Sequence, residues 1–95
     1  MKIYSLEFIP ESQKEWNKLN PDLRSQFAKK LQQILVNPII PKARLRELPD
    51  CYKIKLRAIG YRLVYKVEEE RVIVQVIAIG KRDRNEAYNK ASNRL

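Results

Sequence analysis

The chain contains no histidine, and that absence restricts its chemistry more than any other feature. Histidine is the side chain whose ordinary pKa lies near neutrality, so proton transfer here falls to lysine, arginine, tyrosine or a carboxylate. Cys51 is the only cysteine. An internal disulfide is excluded, the donor set of a zinc or other soft-metal site is missing, and no cofactor is expected. A reducing cytoplasm is the expected setting, and Cys51 reads as a small buried hydrophobe at the start of a strand. No apolar run approaches the length that spans a bilayer, and no basic helix carries a broad aromatic face, so no membrane partner is expected. Residues Met1 to Phe8 lack the apolar stretch and cleavage site of a secretory leader.

Acids are scarce beside cations, 11 against 20, for a formal charge of +9. Such a balance points to nucleic acid or an acidic protein as partner. The chain has 95 residues, 44% of them hydrophobic and 33% charged. That composition is globular, and the length suits one domain over residues 1–95 with a single core.

Residues 2–8 alternate in the manner of a first strand. Pro10 can open a helix, and a short one over Glu11–Leu19 would bury Trp16 and Leu19. Asn20-Pro21 ends it and caps a second helix, from Pro21 to about Val36, whose Leu23, Phe27, Leu31, Ile34 and Leu35 form one apolar stripe. Asn37-Pro38 stops that helix, and Ile39–Leu48 reads as an irregular connection. Three strands follow, near 51–57, 61–67 and 71–79. Ala58-Ile59-Gly60 and Glu68-Glu69-Glu70 are short enough to link them as antiparallel hairpins. The last strand is apolar on nearly both faces, as a central strand should be. Asp83 is placed to cap a short C-terminal helix, with Glu86 completing a capping box and Ala87 and Ala91 facing inward. The expected fold is α+β: a twisted antiparallel sheet, made of the N-terminal strand and three C-terminal strands, packed against an α-helical hairpin.

Alternation in Asp50–Arg57 sends Lys53, Lys55 and Arg57 to one face and Tyr52, Ile54 and Leu56 to the other. Taken alone, those three cations are an ordinary solvated sheet face. Arg62, just past a tight hairpin, adds a fourth opposite Lys55 or Arg57. Arg82 adds a fifth where the apolar strand ends, and this convergence makes an anion site the better reading. Tyr88, in the first or second turn of the last helix, either packs its ring on the sheet edge or offers a base-stacking platform. Tyr61 and Tyr65 alternate with Arg62 and Val64 and belong to the core side.

Such a site could cleave RNA through the substrate's own 2′-hydroxyl. The reaction needs a base at the 2′-oxygen, positive charge around the pentavalent phosphate and an acid at the 5′-oxygen. A lysine base has a reference pKa of about 10.4, too high unless neighbouring cations depress it. Lys53, Arg57 and Arg62 around Lys55 would act in that direction. Arginine stabilises charge well but donates a proton poorly, so a slow intrinsic nuclease is expected, one whose substrate is held by something else.

The segments Leu45–Arg57, Gly60-Tyr61-Arg62-Leu63-Val64-Tyr65 and Gly80-Lys81-Arg82-Asp83-Arg84 with Tyr88 resemble the RelE family of bacterial toxins. Lys14-Glu15-Trp16 and Lys18-Leu19 extend the resemblance along the first helix, and Pro49–Arg57 is its most specific string. The resemblance implies the toxin half of a type II toxin–antitoxin pair: a metal-independent endoribonuclease that cuts messenger RNA in the ribosomal decoding site, leaving a 2′,3′-cyclic phosphate and a 5′-hydroxyl. It implies as partners a RelB-like antitoxin, the bacterial ribosome with its messenger and ribosomal RNA, and operator DNA reached through the antitoxin. By position, Lys53 and Lys55 match the basic pair, with Lys55 as general base. Arg62 matches the arginine at the transition-state phosphate, Arg82 the arginine that serves as acid or leaving-group stabiliser, and Tyr88 the tyrosine that stacks on and orients a nucleotide. Arg46 matches a cation on the RNA backbone; Arg44, Arg57, Lys81 and Arg84 join it as RNA contacts. Two other readings stay open: a gyrase-inhibiting toxin of the same superfamily, and a non-catalytic nucleic-acid-binding module. The latter rests on charge alone, since no helix-turn-helix is evident.

Overall fold

The structure, a computed structural model, describes residues 3–95 apart from the side chain of Arg84. Strand β1 spans Ser5–Phe8 and is followed by helices α1 (Pro10–Lys18) and α2 (Pro21–Ile34). The Asn20 side chain accepts the Leu23 N–H at 2.9 Å, capping α2 as its sequence requires. A 3₁₀ turn at Pro41–Ala43 interrupts the long connection to β2 (Cys51–Leu56), which continues into β3 (Tyr61–Glu68) and β4 (Ile73–Lys81). A second 3₁₀ turn, Asp83–Asn85, leads to α3 (Glu86–Arg94). Among the described residues no helix is long and apolar enough to cross a membrane.

The sheet runs in the order β1-β4-β3-β2. The hairpins β2–β3 and β3–β4 are antiparallel as the short links require, and β4 is central. The N-terminal strand departs from expectation: β1 pairs β4 in parallel, Ser5 with Ile73 through Phe8 with Val76, so the sheet is mixed. Parallel neighbours need a crossover connection. Here the helical hairpin and residues 35–50 carry the chain across one face to the far edge, and three alternating strands bring it back beside β1.

Each face has its own core. On one, Leu23, Phe27, Leu31 and Ile34 of α2 pack on Tyr52, Ile54, Leu56, Leu63, Tyr65, Val74 and Val76. Full burial of Phe27 and Leu31 stabilises by about 1.5–3 kcal/mol each. Tyr65 stacks on Tyr52 with centroids 5.6 Å apart and donates its hydroxyl to the Pro38 carbonyl at 2.9 Å. On the other face Ala87 and Ala91 of α3 lie over Cys51, Val64, Ile77 and Ala78. Val64 pairs with Ala78 but Tyr65 with Val76, so Ile77 is an extra residue in β4. This bulge turns both Ile77 and Ala78 toward α3.

The expected Asp83 cap is not formed. α3 begins at Glu86, after a left-handed Asn85 at φ 53° whose side chain makes no capping hydrogen bond. Glu86 pairs with Lys90 at 2.8 Å instead of completing a capping box. The cause lies at Gly80, where a Cβ would stand 2.9 Å from the Ala87 nitrogen. A helix that close to β4 leaves only a tight turn between them. Strand ends shift for a similar local reason: the β3–β4 turn runs through a left-handed Val72, φ 55°, so β4 starts at Ile73 rather than 71.

Candidate active site

The β2–β3 register places Lys55 opposite Arg62 and Lys53 opposite Val64. Val64 belongs to the core beneath α3, so Lys53, Lys55 and Arg62 all rise from the α3 side of the sheet, as alternation required. Tyr52, Ile54 and Leu56 are buried on the opposite face. Lys53 stands first among the causes that hold the Lys55 ammonium below the usual lysine range, followed by partial burial, Arg62 and Arg57. Arg57 itself is exposed in the turn beyond β2, which ends one residue earlier than expected.

Arg62 is flanked by Gly80 on β4. With no side chain at Gly80, α3 comes down onto the sheet and delivers Tyr88 to Arg62. Burial raises the Tyr88 phenol above its ordinary pKa, against the opposing charge and hydrogen bond of the Arg62 guanidinium. Arg62 Nη1 is buried and has no hydrogen-bond partner among the described residues. A guanidinium nitrogen buried without a partner is costly, so the contacts that hold Arg62 in place must offset that cost. Its planar fork matches phosphate oxygens.

Arg82 follows β4 directly. Its backbone N–H donates to the Gly60 carbonyl at 2.6 Å, and the Cβ of Arg82 would lie 3.9 Å from a Cβ at Gly60. The end of β4 is thus tied to the β2–β3 hairpin, and the exposed Arg82 starts from the rim of the same face. Arg46 and Tyr88 line one cleft of about 330 Å³ between the 45–48 segment and α3. Arg44 is exposed, and its backbone bridges to Tyr52 at the start of β2. The structure does not bring Lys81 into the group: it pairs with Tyr61, and so starts from the opposite face. The Arg84 side chain lies outside the described residues. Cys51 is fully buried, and burial pushes its thiol up to about 11, as befits an inert core residue.

Sequence reasoning passed over three contributors. Gly80 was the available signal for a close approach, being a lone glycine in an apolar strand. Asn85 and Ser92 join Tyr88 on the wall of the cleft. Ser92 lies four residues past Tyr88, on the same face of the helix, whereas Asn85 precedes the helix in a left-handed conformation that no spacing announces.

Residues 6–86 match the family described as ParE toxin of the type II toxin–antitoxin system, parDE. The mRNA interferase toxin RelE of Escherichia coli is 51% identical over 92 residues, covering 97% of each chain. A mutant of the E. coli toxin RelE, solved in the free state, superposes with a TM-score of 0.90 at 48% identity, covering 98% of each chain. The intact E. coli RelBE toxin–antitoxin complex matches with a TM-score of 0.82 and 52% identity, over 85% of this chain and 99% of that one.

Proposed function

We propose that this chain, which belongs to the ParE toxin family of type II toxin–antitoxin systems, is an endoribonuclease toxin that cleaves messenger RNA and thereby halts translation. Identity of 51% to an mRNA interferase over nearly the full length supports that activity over gyrase inhibition. The observation that carries the reading is the grouping of Lys53, Lys55, Arg62 and Tyr88 on one face of the sheet. A scissile phosphate on that face would meet positive charge from Lys53, Lys55 and Arg62 together.

In this reading Lys55, in its neutral form, takes the proton of the ribose 2′-hydroxyl. The 2′-oxygen attacks phosphorus, and Arg62 stabilises the charge on the pentavalent phosphate. As the phosphorus–O5′ bond breaks, Arg82 stabilises the charge on the leaving 5′-oxygen, which takes its proton from water as the acid. The products are a 2′,3′-cyclic phosphate and a 5′-hydroxyl. Lys53 keeps Lys55 deprotonatable and adds charge to the phosphate site. Tyr88 stacks on a neighbouring base and Arg46, across the cleft, holds the backbone; Arg44, Arg57 and Arg84 extend the contact to RNA. The base and acid are poorly matched to neutral pH, so the message is cut on the ribosome, which supplies alignment the protein alone lacks. The chain acts in the cytoplasm as one domain over residues 1–95. It is neutralised by a RelB-like antitoxin and joins operator DNA through that partner.

The test is cleavage of a ribosome-bound message with an open decoding site, by wild type and Arg82→Ala. Cutting by the wild type alone, with both proteins melting within about 2 °C of each other, is expected for an exposed site cation. Equal cutting by both removes Arg82 from the site. No cutting by either, with inhibition of gyrase supercoiling, would move the chain to the other branch of the family.

A further inference from the structure

Away from the cationic face, one carboxylate gathers more partners than a surface ion pair requires. Glu15, on α1, has a side chain only 17% exposed. One of its oxygens accepts the Ile79 backbone N–H at 3.1 Å and Arg94 Nη1 at 2.8 Å. The other accepts Arg94 Nη2 at 3.0 Å and Lys90 Nζ at 2.8 Å. Arg94 Nη1 also donates to the Ile77 carbonyl at 2.9 Å, and Lys90 reaches Glu86 at 2.8 Å. Two helices and the central strand therefore close on one point.

The site exists because β1 is short. Its pairing ends at Phe8 with Val76, while β4 continues to Lys81. Beyond Val76 the open side of β4 has no strand to satisfy it, and side chains do so instead. The Ser12 hydroxyl donates to the Val76 carbonyl at 2.7 Å, and Glu15 takes the Ile79 N–H.

α3 needs such an anchor. It has nine residues, too few to hold a helix alone. Only the methyl-sized Ala87 and Ala91 are buried. Tyr88 sits on this helix, and its phenol meets Arg62 only if the helix is correctly seated. We propose that Glu15 is a positioning residue for Tyr88: by gripping Arg94 and Lys90 it fixes α3 on the sheet, and with it the contact between Tyr88 and Arg62. The proposal rests on the nuclease reading above for its catalytic consequence.

A double-mutant cycle on the ribosomal cleavage assay separates positioning from bulk stability. Glu15→Gln keeps size and an acceptor for Ile79 but weakens the grip on the two cations. Its kcat falls about tenfold with KM nearly unchanged. In a Tyr88→Ala background the same change lowers kcat by less than about twofold, because the group being positioned is gone. Equal proportional losses in both backgrounds, or wild-type kcat in folded Glu15→Gln, would overturn the proposal. If Glu15→Gln is unfolded at the assay temperature, Arg94→Lys is scored by the same criteria, since it keeps the charge and loses the two-pronged contact. Should the wild type cut nothing, the nuclease reading fails, and amide hydrogen exchange decides the clamp alone. Exchange across residues 87–94 about tenfold faster in the variant, with β3 and β4 unchanged, sustains it; uniform acceleration or no change overturns it.

Discussion

Gly80→Ala probes how the site is assembled without replacing a charged residue. The new Cβ would stand 2.9 Å from the Ala87 nitrogen, and 3.1 and 3.2 Å from Glu86 Cγ and Cβ, where ordinary contact begins at 3.4 Å. The worst contact is with backbone, so no side-chain rotation relieves it. β4 is held in the middle of the sheet by its ladder to β3, whereas α3 is seated by two alanines and the Glu15 grip. The helix is therefore the part that yields, by about 0.5 Å or more. Overpacking of this kind costs about 1–3 kcal/mol, and the lost glycine freedom in the unfolded chain returns about 0.4–1 kcal/mol. A net cost near 1 kcal/mol lowers Tm by about 4–8 °C in a chain of this size. The effect on cleavage is larger, because a misplacement on the order of 1 Å can cost about a hundredfold in rate. We expect kcat to fall by about ten- to a hundredfold, measured on ribosome-bound message well below Tm. Gly60→Ala is the matched control: its cost is a strained left-handed backbone at φ +73°, and its Cβ meets nothing nearer than 3.9 Å. It should lose about 1–2 kcal/mol of stability with a much smaller change in kcat. Wild-type kcat in Gly80→Ala would refute the claim that α3 seating sets the site.

Lys53→Met should shift the alkaline-rising limb of the pH–kcat profile to higher pH. Lys53 is the largest influence lowering Lys55; without it the Lys55 pKa rises, less of the base is neutral at a given pH, and turnover at neutrality falls. A profile that moves to lower pH, or does not move, would remove Lys55 from the role of base. Tyr65→Phe strips the donor from the buried Pro38 carbonyl, which should cost about 1–3 kcal/mol in denaturant unfolding while kcat stays at the wild-type value. A loss of activity in the folded mutant would place Tyr65 within the site's reach rather than in the opposite core.

Much of this arrangement was legible because it is local. Alternation alone separated Lys53 and Lys55 from Tyr52, Ile54 and Leu56, and a short hairpin forced Arg62 back toward them. The helical stripe from Leu23 to Ile34 fell where its spacing put it. What failed was set at a distance. The direction of β1 depends on how residues 9–50 travel over the sheet, which no window of neighbouring residues encodes. The Asp83 capping box has the right spacing, but it lost to a tertiary demand, the close seating of α3 on Gly80.

The same distinction explains why the cations of the site could be named and its supports could not. A cation near other cations announces itself through repulsion, since folding must hold like charges together for some reason. Glu15 carries no such mark. In sequence it is one acid between Lys14 and Trp16 on a polar helix, indistinguishable from a solvated residue. Its value arises only because β1 stops at Phe8, leaving the Ile79 N–H, 64 residues away, without a strand partner on that side, and because Arg94 arrives 79 residues away to share the same oxygen. A buried charge with several partners is worth keeping only where the geometry it enforces matters, since apolar packing can stabilise as well. The geometry enforced here is that of the helix that bears Tyr88.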